Sequence, residues 1–164
     1  MKKFRVERDA SQVVLEASQL GVLKHSCRFT EFDGALALRD DRRLASADLR
    51  IKASSLSSAF GRALDRAAAM VLLQADRHPW VTVRARDLQL ASRSGQVRAS
   101  LTLRGRTAEV PLTVTVAARR PDGTVRFSVE GRVDRREWGV DGCLPGLRLG
   151  NHISLRAAIC AVPA

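Results

Sequence analysis

Residues 97–118 read VRASLTLRGRTAEVPLTVTVAA, and their reading decides the fold class. In the first half, Val97, Ala99, Leu101 and Leu103 share one parity, while Arg98, Ser100, Thr102 and Arg104 share the other. Strict alternation marks a strand with one buried and one wet face. Gly105 interrupts it, and Arg106 and Thr107 are expected to complete a short turn. Alternation then resumes with Ala108, Val110, Leu112, Val114, Val116 and Ala118 inward, and Glu109, Thr113 and Thr115 outward. This is a β-hairpin with a glycine-containing connection. Its inward face carries small and branched aliphatics and no aromatic ring.

The same theme extends in both directions. Residues 4–8 and 12–17 read as short strands around Asp9, Ala10 and Ser11. HSCRFTEFDGALALRD, 25–40, changes parity near Glu31, which predicts a bulge or bend that Gly34 would permit. Asp40 to Arg42 form a polar turn, and LASADLRIKA, 44–53, alternates cleanly. The period then becomes helical: Leu56, Phe60, Leu64, Ala67 or Ala68, Val71 and Ala75 predict a helix over roughly 58–75. Ser57 or Ser58 is the expected N-cap, and Asp76-Arg77-His78-Pro79 stops the helix. Val81, Val83 and Ala85 resume a strand, with a phase shift at Arg86-Asp87 that puts Leu88 and Leu90 on the other parity. After the hairpin come a Pro121-Asp122-Gly123 turn, a strand over 125–133, an irregular stretch over 134–151 and a last strand over 152–160.

About eight or nine one-sided strands without a repeated βαβ pattern make an all-β chain with one helical insertion. The bends favour an antiparallel barrel over a sandwich, because closure needs local kinks. Its interior is either narrow and filled or holds a cavity; alternation is the same in both cases.

A chain of 164 residues with 45% hydrophobic content suits one domain over 1–164. No apolar run approaches the ~20 residues of a membrane span. MKKFRVERDASQ lacks an apolar segment after its basic residues, so a cytoplasmic protein is the simplest expectation. Cys27, Cys143 and Cys160 are odd in number and widely spaced, giving neither a disulfide framework nor a zinc ribbon. His25 and Cys27 share a strand face, but two ligands without a third or fourth do not make a metal site. The formal net charge of +11 comes mostly from arginines spread along the outward parity of many strands. Scattered arginines with few aromatics argue against specific nucleic-acid binding and for a diffuse basic exterior. The fingerprints of serine hydrolases, P-loop enzymes, zinc proteases and dinucleotide-binding enzymes are all missing, and no catalytic residue stands out.

Several stretches, in this order, resemble the YceI-like family: SSL at 54–56, VLLQADRHPWVTVRA at 71–85, LTLRGRTAEVPLTV at 101–114 and REWGV at 136–140. The early HSCRFTEFDGAL, 25–36, is similar to one branch of that family, and WGVDGCLPGLRLGNHISL occupies the place of its closing segment. The resemblance runs from about residue 4 to 160. It implies a lipocalin-like barrel of about eight strands and non-enzymatic binding of isoprenoid lipids such as quinones or polyprenyl chains. No cofactor is expected beyond a bound isoprenoid or fatty lipid. Inward parity nominates Leu49, Ile51, Val83, Ala99, Leu101, Val114, Phe127 and Val129 as lining residues. Phe60 and Leu64 on the helix would close one end, and Trp80 and Trp138 would edge a pocket mouth. The competing expectation is a filled barrel that binds an acidic partner through its arginines. An exposed strand edge would support a homodimer, although nothing specific marks one.

Overall fold

In the computed structural model, residues 2–19, 23–39, 44–86, 93–140, 143–144 and 147–164 are described. The strands are β1 (Lys2–Val6), β2 (Gln12–Gln19), β3 (Leu23–Phe29), β4 (Phe32–Leu38), β5 (Leu44–Lys52), β6 (Leu56–Ser58), β7 (Trp80–Arg86), β8 (Ser94–Leu103), β9 (Arg106–Arg119), β10 (Val125–Asp134), β11 (Cys143–Leu144) and β12 (Leu147–Pro163). A single helix among the described residues, α1 (Arg62–Leu72), lies between β6 and β7. Every strand pairing is antiparallel.

The first six strands are three long strands, each broken once. β1 pairs with β4 while β2 pairs with β3, and β5 pairs with β4 while β6 pairs with β3. Counted this way, and with the two-residue β11 set aside because it pairs only with β12, the described strands form an eight-strand meander. It closes because β12 pairs with β10 along one side and with both β2 and β1 along the other. The break between β1 and β2 is tied to this seam. Ser11 Oγ donates to the Glu7 carbonyl at 2.6 Å and accepts from the Cys160 amide at 2.9 Å. A buried hydroxyl thus satisfies backbone groups that the ladder leaves unpaired there.

The expected bend near Glu31 is the break between Phe29 and Phe32, which lets both rings turn inward and become buried. Gly34 serves close approach instead of the bend: a Cβ there would lie 2.8 Å from the Asp48 carbonyl oxygen.

The central hairpin turns on Arg104 and Gly105, with φ of 53° and 71°, and β9 resumes at Arg106. Two successive positive φ values match the right-handed strand twist, so Arg106 and Thr107 belong to the strand and not to the turn. A second difference lies at the far end of β9. The register against β10 shifts between Phe127, opposite Val116, and Arg126, opposite Ala118. This bulge reverses the parity, so that Arg119, opposite the buried Val125, replaces Ala118 on the inward face.

The last strand starts well before residue 152. It runs from Leu147, and β11 pairs with its beginning inside the stretch expected to be irregular. The expected turn at 40–42 and the phase shift carrying Leu88 and Leu90 fall outside the described residues.

The helix is shorter than its periodicity suggested. Gly61, at φ of 97°, precedes Arg62, so Phe60 sits in the turn before the helix. Neither Ser57 nor Ser58 caps it. Instead the Ser58 amide donates to Asp65 Oδ2 at 2.9 Å, and its hydroxyl donates to Asp65 Oδ1. The carboxylate of the first helical turn is thereby tied to β6.

Candidate functional site

Register aligns the inward side chains into rows around the barrel. Leu49, Val83 and Leu101 are mutual partners across β5, β7 and β8. Val114, Val129, Ala157, Val13 and Phe29 form a second row through β9, β10, β12, β2 and β3. These rows do not meet across the centre. They enclose a cavity of about 830 Å³ lined overwhelmingly by aliphatic and aromatic side chains. That volume lies in the usual range for small-ligand sites. Leu49, Val83, Phe127 and Val129 are only half-buried although they point inward, because they face the cavity.

Nine of the expected residues line this space: Leu49, Ile51, Val83, Ala99, Leu101, Val114, Phe127, Val129 and Trp138. Phe60, Leu64 and Trp80 do not. Phe60 is 49% exposed and packs against His25 in a tilted arrangement, ring centres 4.9 Å apart, because α1 begins two residues after it. Leu64 is half-buried on a helix whose cavity-facing residues are Ala68 and Leu72, joined by Leu73 just beyond the helix end. Of the expected stripe, Ala68 and Ala75 are buried, whereas Val71 faces outward with Met70 and Leu72 takes its place against the cavity. Trp80 lies on the outer wall, where the Arg50 guanidinium sits 4.0 Å from its ring centre and also donates to Asp33 at 2.9 Å. Its parity, opposite to Val81 and Val83, already carried that signal.

Trp138 occupies the interior and not a mouth. It is 1% exposed, and its indole N–H donates to the Leu101 carbonyl at 3.0 Å. The 3-10 turn Arg135–Trp138 sets its position. Asp134 accepts the Arg136 amide at 3.0 Å, and the Arg136 guanidinium beside it holds the Asp134 carboxyl well below the usual carboxylate range. Arg135 donates to the carbonyls of Gly150 at 2.9 Å and Val140 at 2.8 Å, bracing the turn against β12.

Cys27 also lines the cavity. Burial, with the Asp65 carboxylate adding to it, pushes its thiol up to about 11. Among the described residues no three His, Cys, Asp or Glu side chains converge on a metal-sized site.

A closed eight-strand meander around an apolar cavity, with one helix between its third and fourth long strands, is the architecture to be matched. The YceI-like domain model matches residues 4–161. The chain belongs to the YceI-like family. No curated protein matches it in sequence. Solved structures share the barrel. BcnA of Burkholderia cenocepacia superposes with TM-score 0.82 at 18% identity, covering 96% of this chain and 99% of that one. A polyisoprenoid binding domain from Saccharophagus degradans, implicated in plant cell wall breakdown, gives TM-score 0.76 at 15% identity, with both chains covered completely. The Campylobacter jejuni YceI protein gives 0.74 at 16% identity, over 90% of this chain and 89% of that one. At such identities the likeness concerns the YceI-like fold.

Proposed function

We propose that this YceI-like protein binds an apolar, isoprenoid-like ligand inside its barrel and performs no chemistry on it. The observation that carries this reading is the cavity of about 830 Å³ with an aliphatic lining. At ~25 cal/mol per Å², burying about 500 Å² of tail contributes roughly 12 kcal/mol, and association costs of roughly 4 kcal/mol leave enough for micromolar binding. The polyisoprenoid binding named for the Saccharophagus domain supports the ligand class. The cavity's one lining thiol among the described residues, Cys27, is held protonated at neutral pH by burial and so offers no nucleophile there.

Native mass spectrometry of freshly purified protein, followed by solvent extraction, tests the proposal. A discrete apolar adduct released by solvent is expected. Ala157→Phe places a ring in the row of Val114, Val129 and Val13, and should displace the adduct while the far-UV spectrum stays that of a barrel. A clean apo mass, with no thermal shift on adding quinones or polyprenyl alcohols, would sink the proposal.

A further inference from the structure

Charge is sparse around the cavity, and most of it is already committed. Five charged residues belong to the lining: Asp48, Arg93, Arg119, Arg135 and Arg156. Asp48 pairs with Arg86 at 2.8 Å and Arg84 at 3.6 Å. Arg156 pairs with Glu16, and Arg135 is spent on the carbonyls of Gly150, Val140 and Leu149. Arg93 and Arg119 remain. No carboxylate among the described residues pairs with either.

Two features of the backbone place these arginines in the cavity lining. The Val116 amide donates to the Arg93 carbonyl at 2.7 Å, which seats Arg93 beside inward-facing Val116. The β9 bulge then returns Arg119 to the inward face opposite Val125. Arg93 immediately precedes β8, Arg119 lies three residues past Val116 on β9, and both belong to the lining at the same end of the hairpin. Both are exposed, so this is where the apolar cavity meets water. The end at which α1 and Trp138 sit is the opposite one.

We infer that the cavity takes a single-chain amphiphile whose anionic head, a carboxylate or a phosphate, is held by Arg93 and Arg119. This rests on the apolar-ligand reading and adds a head group to it. Guanidinium groups recognise both oxyanions through paired N–H donors, and a neutral head would gain nothing comparable there. The tail runs from the arginines along the aliphatic rows towards Trp138.

The test compares hexadecanoic acid, hexadecyl phosphate and hexadecanol, titrated in a Trp80→Phe background so that Trp138 alone reports occupancy. At least one anionic ligand is expected to bind roughly tenfold more tightly than the alcohol at low salt, with the advantage shrinking as salt rises. Whichever anion wins identifies the source of the head. Arg93→Gln and Arg119→Gln should each reduce the advantage and together abolish it, leaving alcohol binding unchanged. Arg98→Gln, on the outer wall beside Glu109, controls for general loss of charge and should preserve it. Equal binding of acid, phosphate and alcohol, or an advantage that survives the double variant, overturns the head-group inference while the apolar cavity stands. If none of the three binds while a polyprenyl alcohol still raises the melting temperature, the head-group inference is overturned and the apolar-ligand reading stands; if the polyprenyl alcohol also has no effect, both fail.

Discussion

At one end of the barrel, α1 and the Arg135–Trp138 turn lie across the interior; at the other, Arg93 and Arg119 project into it. The first end is dense with internal bonds. Trp138 donates to Leu101, Arg135 grips β12, and Asp65 holds both the amide and the hydroxyl of Ser58. At the second end the two arginines make no ion pair among the described residues. The contrast teaches how one barrel divides labour. Groups that fix the shape satisfy one another, while the two arginines proposed to meet a ligand have no carboxylate partner among the described residues. Both ends use arginine, so residue type alone does not separate the roles; bonding does.

Four substitutions or titrations can break or sharpen this comparison. The largest effect is expected from Trp138→Ala, which removes the most buried large side chain and its hydrogen bond. A loss of roughly 3–5 kcal/mol by urea denaturation is expected; a loss below about 1 kcal/mol would mean that this end is not the stabilising one. Asp65→Ala cuts the tether between α1 and β6 and should cost roughly 1–2 kcal/mol, with the helix end losing amide exchange protection first.

Cys27 gives a pH signature to the same end. Its folded pKa of about 11 lies above the ordinary thiol value of 9.0. A raised folded value means that the contribution is fully present below about 9 and is lost as pH climbs towards about 11. Cys27→Ala should therefore flatten the alkaline decline in urea midpoint between those pH values. The chain contains no tyrosine, which simplifies the alkaline background. An unchanged decline in the variant would place the titration elsewhere. The smallest effects belong to the other end: Arg93→Gln and Arg119→Gln should each change stability by no more than about 0.5 kcal/mol, because both are exposed and make no ion pair among the described residues. A larger loss would make them structural and collapse the contrast.

Much of the fold was legible in the sequence because strand alternation is a local pattern. Val97 to Leu103, Leu49 to Ile51 and Phe127 to Val133 announce their buried face without reference to the rest of the chain. The parity change near Glu31 likewise marked a real break. Three expected residues lie away from the cavity, for different reasons. Phe60 and Leu64 depended on where the helix starts: it begins at Arg62, which leaves Phe60 before it and Leu64 in its first turn, short of the cavity. Trp80 was nominated for its chemistry against the parity of its own strand. Arg119 was hidden because a bulge is a property of two strands in register, and β9 alone reads as unbroken alternation.

By itself the sequence determined the strand faces, the helical insertion, the aliphatic character of the interior and the arginine-rich exterior, since each follows from side-chain type at a fixed local period. Only the tertiary structure decided that the interior is a cavity, that Trp138 lies within it and that Arg93 and Arg119 join its lining. Those outcomes depend on how many strands close, with what register and with which bulges, and the same alternating residues would serve a filled barrel equally well.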